Sequence, residues 1–261
     1  MGYRWANKME FGAVSKVIRQ GYVMTKERDI KELVRNWVEP PVPTQTVLEG
    51  RFARLEPLLA TTHASALHAA NTASDAIWNH MSYGPFKTEA AYRDWIAGTA
   101  VGHDPFFYAI SDKATGQWCG VASYLRIVPA AGSIEVGHVN FAPALQKTPA
   151  ATEAMFLMMK WAFDAGYRRY EWKCDAANVG SRRAAQRYGF SYEGIFRKAG
   201  IVKGHNRDTA WFAMIDDEWP ALKVAFETWL SPDNFDTDGQ QRQRLANLTA
   251  PVRVASDPGL A

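Results

Sequence analysis

The stretch Asn140-Phe141-Ala142-Pro143-Ala144-Leu145-Gln146-Lys147-Thr148-Pro149-Ala150-Ala151-Thr152-Glu153-Ala154 reads as a strand end, a tight loop and a helix start. Thr148 is a good N-cap, and Pro149 suits the first helical turn. An apolar run through Met155, Phe156, Met158, Met159 and Trp161 continues the helix. A helix start presents free N–H groups and a positive dipole end, which together bind phosphate. Ala150 and Ala151 are small enough to let a pyrophosphate reach that backbone. The stretch suggests a phosphorylated cofactor, with an ordinary strand-to-helix connection as the alternative.

Outward from this loop, local patterns mark a mixed segment. On the N-terminal side a strand is expected over 51–58, an amphipathic helix over 61–72, a short helical piece over 75–81 and a Thr88-capped helix over 88–99. Three strands follow, over 106–112, 118–127 and 133–141. On the C-terminal side the helix from Pro149 ends near Gly166. Then come a strand over 169–175, a helix over 178–188, a hairpin turning at Lys203-Gly204-His205-Asn206 and a last helix over 217–230. The helix from Pro149 links two strands expected to be parallel and adjacent. Residues 1–45 read as an extension with a short helix over 27–37 ended by prolines, and Met24 is a candidate start. Residues 231–261, rich in Asp, Gln, Asn, Gly and Pro, read as a flexible tail.

Composition narrows the function classes. A net charge of +3 is too small to indicate nucleic acid or membrane. Residues 1–35 alone carry +4, so the remaining body is close to neutral. Cys119 and Cys174 cannot build a metal cluster and read as reduced thiols of a soluble cytoplasmic protein. A phosphate-loop nucleotide hydrolase is excluded, because Gly-x-x-x-x-Gly-Lys-Ser/Thr is absent.

Gln146-x-x-Pro149-x-Ala151, then Asn178-x-x-Ser181-Arg182-Arg183-Ala184-Ala185-x-x-x-Gly189-Phe190, then Glu193-Gly194-x-Phe196-Arg197, stand in this order over residues 46–230. Together they resemble the GNAT superfamily of acyl-CoA-dependent N-acetyltransferases, nearest to the RimJ/RimL type. The resemblance implies an α+β fold with a central mixed, splayed β-sheet flanked by helices. It implies acetyl-CoA as co-substrate, no metal, and a monomer or homodimer. The acceptor would be an amine on a small molecule or a peptide N-terminus. Pro149 stands where the family has Gly and removes one N–H donor. The loop at Gln146, Lys147, Thr148, Ala150, Ala151 and Thr152 would cradle the pyrophosphate, with charge from Lys147 or Arg182. The pantetheine would lie along the strand through Val136, Val139 and Phe141, where family sheets splay, often at a bulge.

Three chemical tasks then need residues. The amine must be neutral, yet at pH 7 a lysine-like amine is neutral for only about one part in two thousand and an α-amine for roughly one in seven. Glu135 is the expected base and His138 its rival; strict alternation sends them to opposite faces unless a bulge intervenes. A structural ion pair is the plain alternative for Glu135, and a packed, satisfied ring for His138. The leaving thiolate needs little acid help, so Ser181 serves as a hydrogen-bond donor to sulfur. Asn178 sits one turn earlier, and Tyr188 is a lesser candidate. A backbone N–H near Val139 would polarise the carbonyl. Trp78, Tyr83 and Phe86, around Gly84-Pro85, would wall the acceptor pocket with His138 beside them. No acidic cluster appears there, so the acceptor stays open. A non-catalytic acyl-CoA-binding module is the alternative, motivated by Pro149.

Overall fold

A computed structural model describes residues 33–260 of the chain. Residues 1–37 and 38–261 form two units. In the first, the described residues 33–37 form a turn. The expected helix over 27–37 otherwise lies outside the described residues, as does Met24. Residues 38–45, read from sequence as part of the extension, instead belong to the second unit. Pro40 and Pro43 are buried there, and Tyr167 Oη donates to Pro41 O at 3.1 Å.

In chain order the second unit runs β1 (Leu48–Glu49), β2 (Ala53–Pro57), α1 (Ala60–Asn71), a 3-10 turn (Asp75–Trp78), α2 (Glu89–Thr99), β3 (Phe106–Asp112), β4 (Gln117–Val128) and β5 (Ser133–Phe141). It continues with α3 (Pro149–Asp164), β6 (Arg169–Asp175), α4 (Val179–Arg187), β7 (Ser191–Val202), β8 (His205–Ile215), α5 (Trp219–Leu230) and α6 (Leu245–Thr249). The eight strands form one open sheet in the order β1-β2-β3-β4-β5-β6-β8-β7. Only β5 and β6 are parallel, joined by α3 as expected; the other neighbours are antiparallel.

Each face of the sheet carries its own core. α3 is buried almost all round, from Ala150 to Met159, because it lies between the sheet and α5. Phe156 stacks on Phe226 at 5.2 Å and Phe163 on Trp219 at 4.8 Å. On the opposite face α1, the 3-10 turn and α2 cover Phe107, Ala109 and Val121 with Leu67, Trp78, Tyr92 and Ile96. The β7–β8 hairpin turns tighter than its sequence suggests. Lys203 and Gly204, at φ 48° and 80°, make a two-residue turn, and β8 starts at His205.

The expected flexible tail is a correction. Leu245, Thr249 and Asp257 are buried, and Tyr192 N–H at the sheet edge donates to Ala255 O at 3.1 Å. Its composition is polar, but its few apolar and charged anchors each find a partner on α4, α5 or β7. No helix among the described residues is long and apolar enough to cross a membrane.

Candidate active site

The sheet forks at its centre. β5 and β6 pair only from Ser133 to Val136 against Arg169 to Trp172. β5 runs on to Phe141, still paired with β4 on its other edge. The polar backbone of residues 137–141 that faces β6 therefore has no ladder partner, and such groups demand one. A bulge shapes this edge. Gly137 faces Ser123 and Asn140 faces Val121, so three steps on β5 match two on β4. His138 absorbs the extra residue at φ 50°, a left-handed conformation costing roughly 1–3 kcal/mol in a non-glycine residue. The bulge turns His138 onto the same face as Glu135, the face covered by α1 and α2.

The loop after β5 ends beside this edge. Gln146 Nε2 donates to Phe141 O at 2.9 Å, and Lys147 turns the chain at φ 62°. Thr148 caps α3 as expected, accepting from Ala151 N–H at 3.1 Å while its Oγ1 donates to Leu145 O at 2.7 Å. The amides of Thr148 and Thr152 make long bonds to Leu145 O and Thr148 O. Of the six residues expected in a phosphate cradle, Lys147 and Ala150 have amides with no hydrogen-bond partner among the described residues. Glu153, one turn into α3, is fully engaged: its buried carboxylate accepts the N–H groups of Arg51, Phe52 and Ala53.

Arg182 is tied to the C-terminal segment. Its Nε and Nη2 bind Asp257 at 2.7 and 2.6 Å, and its Nη1 donates to Ala176 O. That pairing corrects the expectation of a phosphate contact. A different guanidinium lies nearer. Arg187 donates to Thr152 Oγ1 at 3.1 Å and lies over the rings of Trp229 and Tyr188, at 5.1 and 5.4 Å. Burial pulls its pKa down, and no carboxylate lies within 4 Å of it among the described residues. Lys147 is exposed at the loop tip.

On the opposite face Trp78, Tyr83 and Phe86 cluster as neighbouring rings. Tyr83 packs on Trp95 at 4.4 Å, and Trp78 meets Phe86 edge-on at 5.4 Å. His138 joins them: its Nδ1 is 3.1 Å from Tyr83 Oη, and its ring is 5.0 Å from Phe107. Burial, with Arg126 adding to it, holds the His138 pKa below the usual imidazole range. The Tyr83 hydroxyl is pushed far up by burial, so it stays a neutral phenol. In the tautomer whose Nδ1–H donates to Tyr83 Oη, Nε2 keeps a lone pair for a proton.

Glu135 sits differently. It is 3% exposed and bound by Arg126 Nε at 2.7 Å and Lys173 Nζ at 2.9 Å. Lys173 in turn binds Glu171 at 2.6 Å and lies over the Trp211 ring. Glu135 thus links β4, through Arg126, to β6, through Lys173.

Asn178 caps α4, its Oδ1 accepting from Ser181 N–H at 3.0 Å. Ser181 Oγ accepts from Trp172 Nε1 at 3.0 Å and lies against the Cys174 thiol, whose pKa burial raises. Tyr188 is buried against Phe226 and Trp172, and burial raises its pKa. Two side chains that sequence reasoning passed over meet at the fork mouth: His80 Nδ1 and Asp175 Oδ2, 3.2 Å apart. They lie 95 residues apart in sequence, and no local pattern announces the pair.

Residues 53–191 match the acetyltransferase (GNAT) domain family. No curated protein matches the chain. Among solved structures, a GCN5-related N-acetyltransferase from Brucella melitensis is 45% identical with a TM-score of 0.81, covering 83% of this chain and 100% of its own. A probable acetyltransferase of the GNAT family from Chromobacterium violaceum is 42% identical with a TM-score of 0.70, over 74% of this chain and 98% of its own. The RimL α-N-acetyltransferase of a ribosomal protein, in complex with coenzyme A, shares the fold at 21% identity and a TM-score of 0.58, over 66% and 99%.

Proposed function

The chain belongs to the GNAT family of acetyltransferases, and from that premise we propose that it moves the acetyl group of acetyl-CoA to a primary amine by direct attack in a ternary complex. The observation that carries this reading is the fork: an unpaired strand edge at residues 137–141, flanked by a phosphate-compatible loop on one side and an aromatic wall on the other. The pantetheine, with its two amides, suits that edge as an added strand. Lys147 and Ala150 N–H would meet the pyrophosphate, with Arg187 supplying the desolvated cation. Acetyl-CoA brings a thioester whose thiolate leaves without strong acid help.

The protein's residues then do the rest. Val139 has no register partner on β4 or β6, so its N–H suits the developing oxyanion. The acceptor enters along Trp78, Tyr83 and Phe86. As nitrogen bonds to the carbonyl carbon and the C–S bond breaks, the nitrogen loses a proton to His138 Nε2. Glu135 holds the fork together through Arg126 and Lys173 rather than taking the proton. Ser181 and Asn178 fix the start of α4 beside the departing sulfur. The motif spacing favours the RimJ/RimL branch, cytoplasmic, with a peptide N-terminus or small-molecule amine as acceptor.

Thiol release from acetyl-CoA, read across peptides with free N-termini, polyamines and aminoglycosides, tests the proposal. Turnover with at least one amine is expected. Tight acetyl-CoA binding without thiol release on any of them would replace the enzyme reading with a binding module.

A further inference from the structure

Residues 77–83 lie across the open end of the fork on the acceptor face, held by four contacts from three elements, β5, β6 and the β7–β8 turn. Asn140 Nδ2 on β5 donates to Ile77 O at 3.4 Å. Lys203 Nζ at the β7–β8 turn donates to Trp78 O at 3.1 Å. His80 meets Asp175 at the end of β6, and Tyr83 meets His138 on the bulge.

The charges at this mouth are uneven. Asp175 shares the face of Glu171 and Lys173, but those two are matched within the Glu135 and Arg169 network. Asp175 is not. Its one ion-pair partner among the described residues is His80, an imidazole rather than a permanent cation. Both side chains reach solvent, 24% exposed for Asp175 and 37% for His80. Asp175 Oδ1 is held by Ala177 N–H at 2.9 Å, which fixes the carboxylate and leaves Oδ2 to the imidazole. On the other flank the Lys203 ammonium is held at Trp78 O and makes no ion pair with Asp175 among the described residues.

We infer that Asp175 anchors a second positive charge carried by the acceptor, and that His80 occupies the carboxylate until that charge displaces it. The inference rests on the acetyltransferase reading and assigns it a substrate class: amines bearing another ammonium or guanidinium near the reacting nitrogen. The spacing follows from the chain. His138 takes its place beside Tyr83, and Tyr83 lies three residues from His80, so their Cα atoms are at most about 11 Å apart. That bound keeps the two side chains near one another, the setting that a short, flexible diamine fits.

The test compares two probes that differ in one charge, 1,5-diaminopentane and 5-amino-1-pentanol, by thiol release from acetyl-CoA. The unsubstituted protein should favour the diamine at least tenfold in kcat/KM. Asp175→Asn, which keeps the oxygen facing Ala177 N–H, should bring that ratio close to one. Asp175→Glu should keep most of it, and His80→Gln should keep or raise it. Thermal melts establish that each variant is folded. A ratio near one in the unsubstituted protein overturns the inference. So does an equal change in the ratio for His80→Gln and Asp175→Asn, the result expected of a latch whose two halves matter alike. Turnover with other amines but with neither probe overturns the anchor and leaves the enzyme reading standing. Failure with every amine removes both.

Discussion

Replacing Asp257 by Ala strips the partner from a buried guanidinium. The Arg182 and Asp257 side chains are 10% and 0% exposed, and the carboxylate also accepts Gly259 N–H at 3.0 Å. Losing one partner of such a pair costs about 3–5 kcal/mol, because the remaining charge stays buried and uncompensated. For a chain of this size that corresponds to a fall of about 6–20 °C in Tm. Circular dichroism or dye-based melts read it directly. The double variant Arg182→Met/Asp257→Ala should recover about 1–3 kcal/mol over the sum of the single changes, since it no longer buries a lone charge. Acetyl-CoA titrations complete the cycle. Arg182→Met should weaken binding through α4 alone, and so should add nothing in the Asp257→Ala background. A Tm change below about 3 °C refutes the buried pair. A further loss of cofactor affinity from Arg182→Met in the Asp257→Ala background refutes the correction and returns Arg182 to the phosphates.

His138→Gln should lower turnover by about 10²–10⁴, the usual worth of a general base, with acetyl-CoA affinity little changed; Glu135→Gln should chiefly lower Tm. A large rate loss with an intact Tm in Glu135→Gln would instead make Glu135 the base. Arg187→Met should raise the acetyl-CoA Kd about tenfold, equal to about 1.4 kcal/mol, while Tm holds or rises because a desolvated cation is gone. Unchanged affinity with a lowered Tm would make Arg187 purely structural. Unfolding free energy should fall as pH drops below about 6.5. Burial depresses both His63 and His138, so the unfolded chain binds more protons there, and stability rises with pH through that window. Urea titrations showing equal stability at pH 5.5 and 7.5 would contradict it.

What was legible in the sequence follows the range of the interactions. Thr148, Thr88 and Asn178 act as caps within three residues of themselves, so their helices could be read locally. The crossover through α3 follows from chain handedness and length. The fork's chemistry does not, because each deciding contact joins distant segments. The bulge at His138 exists only as a register mismatch with β4, and alternation on β5 alone puts His138 on the wrong face. Arg182 and Arg187 lie on one short helix and look equivalent as sequence. Asp257, 75 residues beyond Arg182, decides which of them is spent. The same reasoning ties the tail to the site: a carboxylate in a stretch that reads as disordered removes the obvious cation from the cofactor's reach. In the proposed reading Arg187, which lies over Trp229 and has no carboxylate partner among the described residues, is then the charge whose desolvation an incoming phosphate would relieve. Cofactor binding on this view is set by which arginine the fold leaves unpaired, so Pro149, by removing one amide, makes that remaining cation matter more.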